Sequence, residues 1–329
     1  MKGEKVMTFR AVSVFGGGGL LDEAAAQAGF HSAATIEHNK KSADVWALNH
    51  NGHVFCSSVE QVSHEDMSLF ARIGDAIGLL TMGIPCEPFS KIRRVQKDGK
   101  TKRTGVGWLD HELADMFYWG LRAVEGFNPH TVIVEEVPGF LDTEASRLMT
   151  HVLHRMGYPT IESAIINPAD HGSMTGRKRA VMVATMHDAV NWPRHSVSTG
   201  TVGDLLLPAD DPGLKWFNRE DPNKQWLFNH WAKNDAKGSG FTPEIIYGGE
   251  DRLPTIKKRY WAGQGDNFVI GHPDIPNTYR WLTIDEGKRF MGLRDDYDLG
   301  PTKTTAGEII GQGVEVGTFT KIIQSVCRV

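Results

Sequence analysis

Residues 9 to 30, FRAVSVFGGGGLLDEAAAQAGF, form the segment that decides the fold. Residues 9–15 predict a strand and residues 20–30 predict a helix that ends near Gly29, with four consecutive glycines between them. Glycines at this point let a ligand approach the backbone, and the amino end of a helix favours polar or anionic groups. The segment therefore predicts the first strand–loop–helix unit of an α/β domain. An ordinary tight turn is the alternative interpretation of the glycines.

The first half of the chain continues this alternation of strands and helices. The further predicted elements are the strands SAATIE, AIGLLTMG and TVIVEEV and the helices at residues 40–51 and 109–125. Such a rhythm indicates βαβ units and a parallel sheet covered on both faces. The segments SAIINP and RAVMVAT are expected to extend the same sheet. Ligands of parallel sheets bind at the carboxyl ends of the strands, so we expect the functional loops there.

The pattern changes after about residue 190. Residues 191–279 are rich in Trp, Pro, Gly, Asn and Asp and have weak periodicity, which predicts a smaller, irregular second domain. Regularity returns at RWLTIDEGKRFMGL, where Thr283 and Glu286 have the spacing of a capping box. We expect a catalytic and cofactor-binding domain at 1–190 that is completed by 300–329, with 280–299 as a connecting helix segment.

The composition is typical of a globular protein inside the cell. Hydrophobic residues make up 40% and charged residues 23% of the 329 residues, and the net charge is -4. No apolar run is long enough for a membrane span or a signal sequence. The three cysteines, Cys56, Cys86 and Cys327, lack metal-ligand spacing, so we predict no metal site and a reducing, cytoplasmic location.

Glu37 is expected at the carboxyl end of the second strand, 18 residues beyond Gly19. A carboxylate at this place can accept hydrogen bonds from ribose hydroxyls. Together with the glycine loop, it indicates a cofactor that contains adenosine. A surface glutamate with no ligand is the alternative.

Cys86 stands in a Pro-Cys turn after the predicted strand AIGLLTMG, at the edge where ligands bind. A buried structural cysteine would more often lie within the apolar run, so the position favours an accessible nucleophile. The segment KIRRVQKDGKTKR, residues 91–103, follows with seven basic residues and one acidic residue. It predicts a loop that holds phosphates beside the nucleophile, although a solvated charge run is the alternative.

Taken together, these segments resemble the cytosine-5 DNA methyltransferase family over nearly the whole chain and in the family's motif order. FGGGG is similar to the family's Phe-x-Gly-x-Gly-Gly loop, Glu37 to its ribose-binding acid, and PCEPFS to Pro-Cys-Gln-x-Phe-Ser. EEVPGF is similar to Glu-Asn-Val-Pro-Gly and TGRKR to Gln-x-Arg-x-Arg. RWLTIDEGKRFMGLRDDY is similar to Arg-x-Leu-Thr-x-x-Glu and GQGV to Gly-Asn-Ser-Val.

The resemblance implies a Rossmann-like S-adenosylmethionine-dependent methyltransferase sheet with a smaller irregular target-recognition domain at 191–279. It implies that the Cys86 thiolate adds to C6 of a cytosine flipped out of double-stranded DNA, while Glu135 holds or protonates N3. A methyl group then passes from S-adenosylmethionine to C5, and Cys86 is eliminated. Arg179 would hold the base and the Cys86–Glu135 geometry, and Arg177 would have a structural or phosphate role. A salt bridge at the sheet edge is the alternative for both arginines.

The resemblance also implies two sets of binding residues. The cofactor set is Phe15, Gly17, Gly19, Glu37, Ser58, Pro85, Gln312 and Val314. The DNA set is Ser90, Lys91, Arg93, Arg94, Arg177, Lys257, Lys258 and Arg259. We expect a monomer associated with the nucleoid of a bacterial or phage-infected cell, with a cognate restriction endonuclease as a partner and no contact with membranes.

Several residues depart from the family pattern. They are Ser13, Leu20, Ser58, Glu87, Glu136, Thr175, Gln312 and Glu315. The serines at 13 and 58 replace acids near the donor, which lowers the local negative charge. One hypothesis is therefore that the enzyme accepts a modified, more anionic derivative of S-adenosylmethionine.

Two further readings stay open. An RNA cytosine-5 methyltransferase would use the same scaffold, but the Cys-Phe-Thr signature of the family's tRNA-acting branch is absent from residues 191–279. The other interpretation is a catalytically silent DNA-binding relative. The retained Cys86 and Glu135 are evidence against this interpretation.

Overall fold

The described part of the chain divides into two compact units. The computed structural model describes residues 9–88, 95–97, 100–102, 113–236, 238, 242–262 and 267–327. The first unit is Met1–Asn167, Lys178–Pro193 and Phe319–Val329, and the second is Pro168–Arg177 and Arg194–Thr318. The functional domains expected from the sequence stay a prediction.

A large sheet forms the centre of the first unit. The strands of the first half of the chain are β1 (Arg10–Val14), β2 (His31–Ile36), β3 (His53–Phe55), β4 (Ile77–Gly83), β5 (Val95–Lys97), β6 (Lys100–Lys102) and β7 (Thr131–Glu136), followed by β8 (Thr160–Ile166) and β9 (Arg179–Thr185). Seven of them form one sheet in the order β3-β2-β1-β4-β7-β9-β8, and β5 and β6 pair with each other. The predicted α/β class is confirmed.

One strand corrects the predicted all-parallel sheet. β9 pairs antiparallel with both β7 and β8, whereas β1, β2, β3, β4 and β7 pair in parallel. The prediction failed because the apolar pattern of a buried strand does not report its direction. A parallel neighbour needs a long crossover, usually a helix, while an antiparallel one needs only a loop. The segment between β8 and β9 contains a single short 3-10 turn, Pro168–Asp170.

Helices accompany the sheet strands. They are α1 (Leu20–Gln27), α2 (Lys40–Asn49), α3 (His64–Arg72), α4 (Met116–Phe127) and α5 (Glu144–Arg155). Every residue of β7 is buried, as expected for a strand covered on both faces. The helix predicted at 109–125 begins at Met116, after a turn at 113–115, and residues 109–112 lie outside the described part.

The second unit has its own small sheet. Its elements are β10 (Phe217–Asn218), α6 (Gln225–Asp235), β11 (Glu244–Ile246), β12 (Phe268–Gly271), β13 (Thr278–Arg280), α7 (Ile284–Phe290) and α8 (Lys303–Gln312). The chain ends with α9 (Val316–Cys327), which belongs to the first unit from Phe319 onward. The four strands have the order β10-β13-β12-β11, and Phe217, Leu227, Phe228, Trp231 and Val269 form a buried cluster against them. Among the described residues, none of the helices is both long and apolar enough to cross a membrane.

A buried ion pair stabilises the second unit where β13 meets α7. Arg280 is 2% exposed, and its two terminal nitrogens donate to the two carboxylate oxygens of Glu286, both at 2.7 Å. Glu286 also accepts from the Thr283 and Leu207 N–H groups. The Thr283 hydroxyl accepts from the Glu286 N–H, so the predicted capping box is confirmed.

We predict that Glu286→Ala lowers the free energy of unfolding by about 3–5 kcal/mol, because it leaves the Arg280 charge buried without its partner. Asp285→Asn is the matched control on the same helix, since this side chain is exposed and its pair with Lys288 contributes about 1 kcal/mol or less. Urea unfolding of both variants measures the difference. A Glu286→Ala protein as stable as the control would contradict the role of this pair.

Candidate active site

The glycine loop after β1 has a backbone that most residues cannot adopt. Phe15 (φ 56°), Gly17 (φ 56°) and Gly19 (φ 87°) all have positive φ angles, and Gly19 caps the start of α1. A Cβ on Gly16 would stand 2.1 Å from Thr35 Oγ1, whereas a Cβ on Gly17 would meet no atom within 4 Å. The loop is therefore packed tightly against β2 at Gly16 and open at Gly17.

Glu37 joins the open side of this loop to the end of β2. Its Oε2 accepts from the Gly17 N–H at 2.8 Å and its Oε1 accepts from the Asn39 N–H at 2.6 Å. The side chain is buried, and Oε1 also lies 3.2 Å from His38 Nδ1, so Oε2 is the oxygen with a second lone pair for a ligand hydroxyl. An acceptor beside open backbone at a strand end fits the ribose of a nucleoside.

Ser13 and Ser58, the two positions where serines replace acids, have different surroundings. Ser13 is buried and donates to Thr35 Oγ1 at 2.8 Å, so its hydroxyl is engaged inside the sheet. Ser58 is half-buried after β3 and donates to Glu60 at 3.1 Å. Asp22, on α1, is a buried acid near Ser13, and its burial raises the pKa of its carboxyl to about 7.

The predicted catalytic pair is brought to one sheet edge by the parallel pairing of β4 and β7. Gly83 lies opposite Glu135, and the chain continues from Gly83 into the turn that holds Pro85, which is half-buried, and Cys86, which is exposed. A Cβ on Gly83 would stand 3.5 Å from Glu135 Oε2, so the glycine leaves room for this carboxylate.

Arg179 reaches the same edge because β9 runs antiparallel. It is the first residue of β9, and the first residue of an antiparallel strand lies where its parallel neighbours end. Its Nε forms an ion pair with Glu135 Oε1, and both side chains are largely buried. Arg179 therefore does form a salt bridge at the sheet edge, as the alternative interpretation expected, and its partner is the predicted catalytic residue Glu135.

The electrostatic surroundings keep the thiol of Cys86 protonated at neutral pH. Its pKa is raised to about 11, chiefly by desolvation and also by the carboxylates of Glu136, Glu87 and Glu135, while Arg179 acts in the opposite direction. Burial likewise raises the pKa of the Glu136 carboxyl to about 9. Both shifts favour the protonated forms of this thiol and this carboxyl.

The remaining predicted binding residues fall into three groups. Ser90, Lys91, Arg93 and Arg94 lie outside the described residues. In the second unit, Lys257, Lys258 and Arg259 are exposed, and Lys258 forms an ion pair with Glu308 at 3.5 Å. Arg177 is half-buried, Gln312 is the exposed last residue of α8, and Val314 is buried, all in the same unit.

Sequence reasoning named Glu136 only as a departure from the family and did not name Asp22 at all. The structure shows both as buried acids near predicted site residues. A signal existed for Glu136, since a second carboxylate at the end of a wholly apolar strand has to be paired or protonated.

We predict that alkylation of Cys86 by iodoacetamide becomes about tenfold faster per pH unit from pH 7 to 10, because the thiolate fraction grows until the pH reaches the pKa near 11. Peptide mass spectrometry separates Cys86 from Cys56 and Cys327. Arg179→Met, which removes the neighbouring positive charge, should slow the reaction at every pH. A rate that levels off below pH 9 would contradict the raised pKa.

Comparisons with known proteins place the chain in a family. The profile of the family described as C-5 cytosine-specific DNA methylase matches residues 9–328. The type II methyltransferase M.NaeI of Lentzea aerocolonigenes is 28% identical over 239 residues, which are 67% of this chain and 51% of that protein. The type II methyltransferase M.NgoMIV of Neisseria gonorrhoeae is 28% identical over 210 residues, 61% of each chain.

The chain thus spans between about half and three fifths of the length of these two relatives, by the aligned shares of 51% and 61%. Among solved structures, the methyltransferase EhMeth of Entamoeba histolytica has a TM-score of 0.74 at 14% identity and covers 97% of both chains, a likeness of fold. Because the family profile covers nearly every residue, the protein belongs to the C-5 cytosine-specific DNA methylase family.

Proposed function

We propose that this protein is a DNA cytosine-5 methyltransferase that uses S-adenosylmethionine. One observation carries the proposal: the turn after β4 that holds Cys86, the carboxyl end of β7 with Glu135, and the start of β9 with Arg179 lie at one edge of the sheet. A nucleophilic sulfur beside a positioned acid is the arrangement that addition to a pyrimidine ring requires. Membership of the family supports this reaction.

Cys86 acts as the nucleophile toward C6 of the cytosine. Its thiol is protonated in the ligand-free protein, since the raised pKa is about 11. Attack therefore requires the proton to leave as the base binds. Adding sulfur to C6 makes C5 electron-rich enough to take the methyl group. The C5 proton is then lost as the C5–C6 double bond re-forms and Cys86 is eliminated.

Glu135 holds N3 of the cytosine and stabilises the charge that develops there during attack. Arg179 contacts one oxygen of Glu135 and leaves Oε2 on the side of Gly83 and the Cys86 turn. The ion pair orients the carboxylate, so that little reorganisation accompanies the reaction.

The residues of the glycine loop and the ends of β2, β3 and β4 would hold the nucleoside part of the cofactor. The proposed set is Phe15, Gly17, Gly19, Glu37, Ser58 and Pro85, with Gln312 and Val314 as further contacts. The support is the open backbone at Gly17 and the buried acceptor Glu37 beside it. When bound, S-adenosylmethionine supplies an electrophilic methyl group.

The proposed substrate is double-stranded DNA with the target cytosine flipped out, because a stacked base is inaccessible to the thiol. We propose residues 191–279 as the target-recognition domain, with Lys257, Lys258 and Arg259 as phosphate contacts. Their exposure on one turn supports this role. A cytoplasmic monomer with a cognate restriction endonuclease is the expected setting. The relatives named type II methyltransferases support the restriction–modification part of this expectation.

A modified, more anionic derivative of S-adenosylmethionine is the second candidate donor. The half-buried hydroxyl of Ser58, in place of an acid, is the observation that favours it. Ser13 supports it less, because the buried carboxyl of Asp22 lies near this serine.

We predict that the protein converts cytosine to 5-methylcytosine in duplex DNA with plain S-adenosylmethionine, and that Cys86→Ser abolishes the product. Glu135→Gln should slow the reaction by about 10²–10⁴-fold, the usual contribution of a positioned acid or base, with DNA binding retained. Cys56→Ser is the matched control, since Cys56 is also exposed but stands after β3. Mass spectrometry of nucleosides measures the product.

The outcomes separate the alternatives. Abundant 5-methylcytosine would exclude the need for a modified donor, and modification of RNA but not of DNA would favour an RNA substrate. A Cys86→Ser protein as active as the wild type would overturn the proposed mechanism.

We predict that Glu37→Gln weakens S-adenosylmethionine binding by about 10- to 100-fold, because hydrogen bonds to a charged group contribute about 1.5–3 kcal/mol. Isothermal titration calorimetry measures the dissociation constant. Glu65→Gln is the control, since Glu65 is an exposed acid in the first turn of α3 and belongs to no proposed binding set. Equal affinities for the two variants would show that Glu37 does not contact the ribose.

A further inference from the structure

Helix α6 of the second unit carries a polar and aromatic stripe on its exposed side. The opposite side of the helix holds Leu227, Phe228 and Trp231, which belong to the buried cluster of the small sheet. The stripe has the spacing i, i+3, i+4 and i+7, and all its members are exposed. They are Trp226, Asn229, His230 and Lys233. Residues with this spacing share one side of a helix, so the sheet holds α6 with the stripe facing away from the core.

The side chains of the stripe have the chemistry that recognises the edges of base pairs. Asn229 carries a donor and an acceptor on one amide, the combination that binds adenine, and Lys233 is a donor of the kind that binds guanine. The Asn234 amide donates to His230 Nε2 at 2.9 Å, so His230 Nδ1 carries the proton and is a further donor. Trp226 is 54% exposed, and an apolar side chain of this kind suits the methyl group of thymine.

Two basic residues, Arg219 and Lys224, flank the helix and are called the flanking cations below. The Lys224 ammonium stands 4.8 Å from the centre of the Trp281 ring, and the Arg219 guanidinium stands 5.8 Å from the centre of the Phe228 ring. Neither residue forms an ion pair with a carboxylate in the part of the chain that the structure describes. An aromatic ring holds a cation in place without neutralising it, so both charges can still attract phosphates.

The acids nearest in the chain lie outside the stripe; they are Glu220, Asp221 and Asp235. Asp235 ends α6, and its position on the helix is about 160–180° away from Lys233 and Trp226 at 100° per residue. The side of α6 that faces solvent therefore carries the positive charge of Lys233 and no carboxylate. This charge pattern favours a partner that is negative, as a phosphate backbone is.

The dimensions of α6 suit duplex DNA. The helix has 11 residues and is about 16 Å long, and a helix with a diameter of about 10–12 Å fits the major groove of B-form DNA, which is about 12 Å wide. The stripe covers about 10 Å along the helix, which corresponds to about three base-pair steps of about 3.4 Å. The major groove of double-stranded RNA is too narrow and deep for side chains to read. The fit thus favours DNA.

We propose that α6 enters the major groove and reads base edges next to the target cytosine, a role that rests on the proposed function. The four side chains of the stripe contact base edges over about three base pairs. The flanking cations bind phosphates at the rim of the groove. Sequence preference then resides in this helix, whereas the basic residues at 257–259 contribute phosphate contacts that do not depend on sequence.

A solvated helix side without a ligand makes a different prediction. If the stripe only keeps the second unit folded and hydrated, the loss of one of its side chains changes activity equally on every DNA sequence, or not at all. If the stripe reads bases, the loss of Asn229 or Lys233 relaxes the preference at the base pairs that this side chain contacts and leaves the others unchanged.

The experiment compares Asn229→Ala and Lys233→Met with Lys215→Met, which removes an exposed lysine outside α6. Each protein methylates a library of duplexes with random bases on both sides of a cytosine, and sequencing of the 5-methylcytosine positions gives the preference at each base pair. We expect each α6 variant to lose about 10- to 100-fold of discrimination at one or two adjacent positions, the usual contribution of a good contact to a base. Lys215→Met should keep the wild-type pattern, and thermal unfolding checks that all variants are folded.

An unchanged preference in both α6 variants would overturn the proposal, and so would a loss that is uniform over all sequences. A second copy of the chain is the other partner that an exposed tryptophan would suit. If Trp226→Ala converts a dimer into a monomer in light scattering and leaves the sequence preference intact, the stripe faces a second copy and not DNA.

DNA binding provides a readout that needs no methyl transfer. Fluorescence anisotropy with a labelled duplex of random sequence gives the affinity between about 50 and 200 mM salt. Arg219→Met and Lys224→Met should each reduce the slope of log affinity against log salt by about one, whereas Asn229→Ala should leave the slope unchanged. Wild-type slopes in both cation variants would overturn the docking of α6. A wild-type protein that binds DNA but transfers no methyl group would defeat the proposed function, and the slopes would still test the helix.

Discussion

The parallel pairing of β4 with β7 is the constraint on which the site depends. Five register pairs, from Leu79–Thr131 to Gly83–Glu135, bring both strands to an end at the same level of the sheet. The turn that holds Cys86 therefore starts beside Glu135 without any long-range loop contact. Glycine at position 83 leaves the space that the Glu135 carboxylate enters. A nucleophile in a short turn directly after a rigid strand is positioned more accurately than one on a long loop.

The antiparallel direction of β9 completes this arrangement. A parallel strand at the same place would carry its first residue to the opposite edge of the sheet, and Arg179 would lie far from Glu135. The reversed direction places the guanidinium against the carboxylate, where the two largely buried charges compensate each other. The one feature of the sheet that periodicity predicted wrongly is thus the feature that assembles the predicted catalytic residues.

Buried carboxyl groups in the first unit are stabilised in different ways, and their chemistry follows from this. Glu37 accepts backbone N–H donors and Glu135 pairs with Arg179. Glu136 and Asp22 form no ion pair with any of the described residues, and burial is the main cause that raises the pKa of Glu136 to about 9 and of Asp22 to about 7. In the second unit, the buried carboxylate of Glu286 is stabilised by two hydrogen bonds from Arg280 and by two backbone N–H donors.

The sequence by itself determined the α/β class, the glycine loop, the strand ends that carry Cys86 and Glu135, and the capping box at Thr283. These depend on local periodicity, turn residues and cap spacing, which neighbouring residues in the chain report directly. Only the tertiary structure decided the direction of β9, the contact between Arg179 and Glu135, the start of α4 at Met116 and the burial that raises the pKa of Glu136. Strand direction depends on how the chain returns to the sheet, and a pKa depends on burial and on charges from distant segments. Neither quantity is encoded in a local window of residues.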